Sequence, residues 1–122
     1  MVPRHDNGVL WDPYQIASDL FKERGFPKWR LLRANLRTLP QLPESADFVV
    51  VDAEHDFYNE YADLQLALTA KPKFIFVDDA DDPDNAKRAI DKFLAGLGDR
   101  VAYTCPVDYI GGGLVIRLEP RP

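Results

Sequence analysis

The order of apolar runs along this 122-residue chain predicts an α/β domain: a mainly parallel β-sheet with flanking helices and a C-terminal antiparallel β-hairpin. Three observations carry that prediction. Short β-branched runs alternate with amphipathic stretches whose apolar residues recur every three or four positions. Two of the runs, Phe48–Val51 and residues 74–77, are apolar throughout, which suits central parallel strands covered on both faces. The last two runs, residues 100–105 and 114–118, flank Gly111-Gly112-Gly113, a hairpin connection.

Taken in order, residues 8–11 (Gly-Val-Leu-Trp) form a short apolar run with weak strand character. Asp12-Pro13 then reads as a helix N-cap and first helical residue, because proline suits that position and aspartate accepts a free N–H. Ile16, Ala17, Leu20 and Phe21 give the following helix one face, and Gly25 closes it. Residues 29–34 read as a strand, and residues 36–44, with Pro40 and Pro43, as a short helix or loop. A helix over 57–70 presents Tyr61, Leu64 and Leu68. Asp82-Pro83 repeats the N-cap pattern before a stripe of Ala86, Ala89, Ile90, Phe93 and Leu94, with Gly96 as its stop.

The length suits a single domain over 1–122, able to bury roughly two thirds of its unfolded surface. The net charge of −5 comes without any Lys/Arg cluster, which argues against nucleic acid and anionic membrane surfaces as partners. No apolar run reaches the length of a membrane span. The single cysteine, Cys105, excludes an internal disulfide framework and a thiolate zinc cluster, and a cytoplasmic location is expected.

Acidic residues gather at 52–56 and 78–84. Ligands of open α/β sheets bind beyond the carboxyl ends of the strands, where Val51-Asp52 and Val77-Asp78-Asp79 stand. If a right-handed crossover makes those strands neighbours, Asp52, Asp78 and Asp79 meet at one edge. Three close carboxylates repel one another, and a Mg²⁺ ion would relieve this through oxygen ligation. Strand-end aspartates also cap loops and start turns, a reading of equal weight on chemistry alone. Asp81, Asp82 and Asp84 read as turn and cap residues, and His55 as a base, a ligand or a loop residue.

The segment Asp47-Phe48-Val49-Val50-Val51-Asp52-Ala53-Glu54-His55-Asp56-Phe57-Tyr58 resembles the fourth strand and following loop of class I S-adenosylmethionine-dependent methyltransferases. The similarity is to the "DLVFIDGDHSYE"-like group, which includes metal-dependent sugar and small-molecule O-methyltransferases. Residues 73–79 resemble the family's fifth strand, residues 86–94 the helix after it, and residues 101–104 and 113–118 its terminal antiparallel strands. The resemblance implies a Rossmann-like fold and methyl transfer from S-adenosylmethionine to a small-molecule hydroxyl acceptor, assisted by Mg²⁺. It further implies Asp52, Asp78 and Asp79 as metal ligands and Glu54 or His55 as the catalytic base. Asn35 would lie near the adenine ring, and Asp12 would hydrogen-bond the cofactor ribose.

The chain departs from the family where the first strand and glycine-rich loop should precede Gly8, and Ala53 stands where the family has glycine. The missing strand is the central one, between those equated with residues 8–11 and 48–51. Its loss would leave backbone unpaired unless the chain is a fragment, rearranges its sheet, or completes it with another chain, as a homo-oligomer or through a strand-completing partner. The alternative expectation is a non-catalytic binding or assembly module that keeps the methyltransferase-like fold. A phospho-receiver domain places its acidic pair before the acceptor strand, the reverse of the order here.

Overall fold

A computed structural model describes residues 13–25, 28, 34–52 and 56–119. The chain divides into two compact units, meeting in sequence between Asn35 and Leu36. The strand expected at residues 8–11, and all of the one expected at 29–34 except Ala34, lie outside the described residues. Among the described residues, no helix is long and apolar enough to cross a membrane.

The first unit contributes helix α1, Pro13–Glu23, which begins on the proline that the sequence assigns to its first position. It stops where Gly25 adopts φ +70°, a conformation glycine enters without a Cβ clash, and donates its N–H to the Lys22 carbonyl at 3.2 Å.

Among its described residues the second unit holds four strands and two α-helices, besides two short 3-10 turns, in the order β1 Phe48–Val51, α2 Phe57–Leu68, β2 Phe74–Asp78, α3 Ala86–Leu97, β3 Val101–Val107 and β4 Gly113–Leu118. Spatially the sheet runs β1-β2-β4-β3. Strands β1 and β2 are parallel, with Val51 opposite Val77, whereas β4 runs antiparallel to both β2 and β3. The α/β class and the C-terminal hairpin are as the sequence predicts. The mainly parallel sheet is not: it is mixed, because β4 inserts beside β2 and reverses the polarity of that half. The insertion also corrects the expectation of two covered central strands. With β4 occupying one side of β2, β1 stands at the edge among the described residues, and Phe48 and Val50 are 53% and 57% exposed.

Side chains alternate across a strand, so each contributes to two faces. Val49, Val51, Ile75, Val77, Ile116 and Leu118 pack with Leu64 and Ala67 of α2 and Ala89, Ile90 and Phe93 of α3 as one apolar core. The α3 stripe thus matches its sequence periodicity. Its ends do not. Gly96 lies inside the helix, and the stop is Gly98, at φ +54°. At the other end the cap position falls on Asn85 rather than Asp82. Asp82 instead closes a turn by accepting the Asp84 N–H at 3.1 Å, the short-range bond that favours aspartate in turns. The Phe57 N–H, in the first turn of α2, donates to the Asn85 side-chain oxygen at 3.2 Å. The loop after β2 is thereby tied to the helix that follows the loop after β1.

Candidate functional site

Because β1 and β2 are parallel and in register, their carboxyl ends emerge side by side. Asp52 follows the last residue of β1, Asp78 is the last residue of β2, and Asp79 comes next. One carboxylate oxygen from each lies within 4.8 Å of the others; Asp52 is exposed, and Asp78 and Asp79 are half-buried. Asp79 has φ +52°, a left-handed conformation that aspartate tolerates better than most residues. It re-aims the chain after β2 so that consecutive carboxylates serve one site.

The remaining wall comes from the β3–β4 turn. The Tyr109 hydroxyl donates a hydrogen bond to Asp78 Oδ1. This bond is the main reason that the Tyr109 pKa is pushed up to about 12; partial loss of water and the charges of Asp78, Asp79 and Asp52 add to it. Gly111 and Gly112 have φ of +87° and +73°, and their carbonyls accept the N–H groups of Asp81 and Ala80, both at 3.1 Å. A Cβ on either glycine would collide with the carboxylate of Asp79 or Asp81. A Cβ on Gly113 would come within 2.7 Å of the Tyr109 hydroxyl. The glycine run is therefore a hairpin connection, as predicted, and also the reason that this hairpin can lie against an acidic loop. A cleft of about 410 Å³ opens there, lined by Asp79, Asp81, Asp82, Ala86 and Gly111.

The donor set suits a hard cation. Oxygens sharing one octahedral Mg²⁺ lie about 3 to 4 Å apart, so only a small inward movement from the observed spacing is needed. Of the other residues that the sequence nominates, Asp12, Glu54 and His55 lie outside the described residues. Asn35 is exposed and belongs to the first unit. Tyr109 escaped the sequence reading, since nothing local marks a loop tyrosine whose partner is 31 residues away.

The loop after β1 rejoins regular structure at Asp56, which caps α2 by accepting the Asn59 N–H at 3.0 Å and the Asn59 side-chain amide at 2.7 Å. These bonds, the side-chain one first, hold the Asp56 carboxyl below its ordinary pKa. Between the two helices, the Arg88 guanidinium lies 4.5 Å from the centre of the Phe57 ring, securing the start of α2 against α3. Comparison with family models, with curated proteins and with solved structures found no match to this chain.

Proposed function

We propose that this protein is a methyltransferase-like enzyme that holds Mg²⁺ between Asp52, Asp78 and Asp79 and there binds the hydroxyl of a small-molecule methyl acceptor. The observation supporting this reading is the meeting of three carboxylates beyond the carboxyl ends of a parallel strand pair, the place where open α/β sheets bind ligands. The antiparallel β3–β4 hairpin also stands where the family resemblance expects its terminal strands. When bound, the ion would favour deprotonation of the acceptor hydroxyl, and S-adenosylmethionine would supply the methyl group. The chain's own part is to orient the acceptor through the aspartates and to take its proton at Glu54 or His55. Asp12 and Asn35 are proposed for the cofactor on the resemblance alone. A cytoplasmic location, expected from the sequence, is likewise proposed.

A second reading, a non-catalytic binding or assembly module, draws support from the position of β1, which among the described residues has a strand neighbour on one side only.

Calorimetric titration separates the two. The enzyme reading expects heat on adding Mg²⁺ to the wild-type chain and none with Asp78→Asn. It also expects S-adenosylmethionine to bind at micromolar strength, about −8 kcal/mol. A folded sample that releases no heat with either ligand would overturn it and leave the assembly reading.

A further inference from the structure

We draw no further inference here: the strongest candidate, the face of the sheet on which Phe48, Val50 and Tyr103 are exposed, carries nothing, because nothing in the structure shows what covers it.

Discussion

At the scale of single residues, Tyr109 is the most informative side chain in the molecule, because its hydroxyl reports on the charge around Asp78. A tyrosine whose pKa rises on folding stabilises the fold while protonated. That contribution is whole below pH 10 and is lost as the pH climbs through about 12. Absorbance at 295 nm should accordingly show one tyrosine ionising later than the rest, and Tyr109→Phe should remove that late phase alone. Asp56 acts with the opposite sign. Its carboxyl is held below the ordinary 3.8, so its capping contribution is full above that pH and drains away as acid protonates it. Asp56→Ala should lower the Tm at neutral pH and leave it nearly unchanged in strong acid, as followed by circular dichroism. Neither role could be read from neighbours in sequence: Asp56 looked like one of an acidic run, and Tyr109 depends on a fold that brings it back to β2.

At the scale of elements, the β3–β4 turn is where backbone conformation and site geometry constrain each other. Gly112→Ala would need both a positive φ and the space filled by Asp81. The expected cost is more than about 1 kcal/mol in urea unfolding. The same substitution should also abolish the late tyrosine phase, because the turn that carries Tyr109 must move. Periodicity made the helices and strands of the second unit legible: the α3 stripe and strands β1 and β2 fall where the apolar residues put them. Helix ends were less legible, for a definite reason. Several residues near α3 could cap or stop a helix. Which of them does so is settled by distant partners, such as the Phe57 N–H that engages Asn85. Gly96 could likewise stop α3, but the chain turns two residues later, at Gly98.

At the scale of the whole second unit, one layer of helices lies on one face of a four-stranded mixed sheet, and Phe93 sits at the join with 1% exposure. Phe93→Ala should cost about 3–5 kcal/mol, measured as a fall in the denaturation midpoint, since both helices and the sheet lose their shared contact. Strand order was the least legible feature. Apolar runs reveal that strands exist but carry no information on which edge a returning hairpin will join, and hence on whether β1 is central or peripheral. The convergence of Asp52 with Asp78 and Asp79 was nonetheless legible, because it needs only that β1 and β2 be parallel neighbours. That geometry also has a long-range result. Asp52, Asp78, Asp79, Asp81, Asp82 and Asp84 all crowd one end of the strands, while at the other end Lys71, Lys73, Arg100 and Arg117 are largely balanced by Asp47, Asp99 and Glu119. The unit therefore concentrates its negative charge at one end of the sheet. Its field draws small cations toward the acidic end from beyond contact distance and turns anions away, so capture rates there should fall steeply as ionic strength rises.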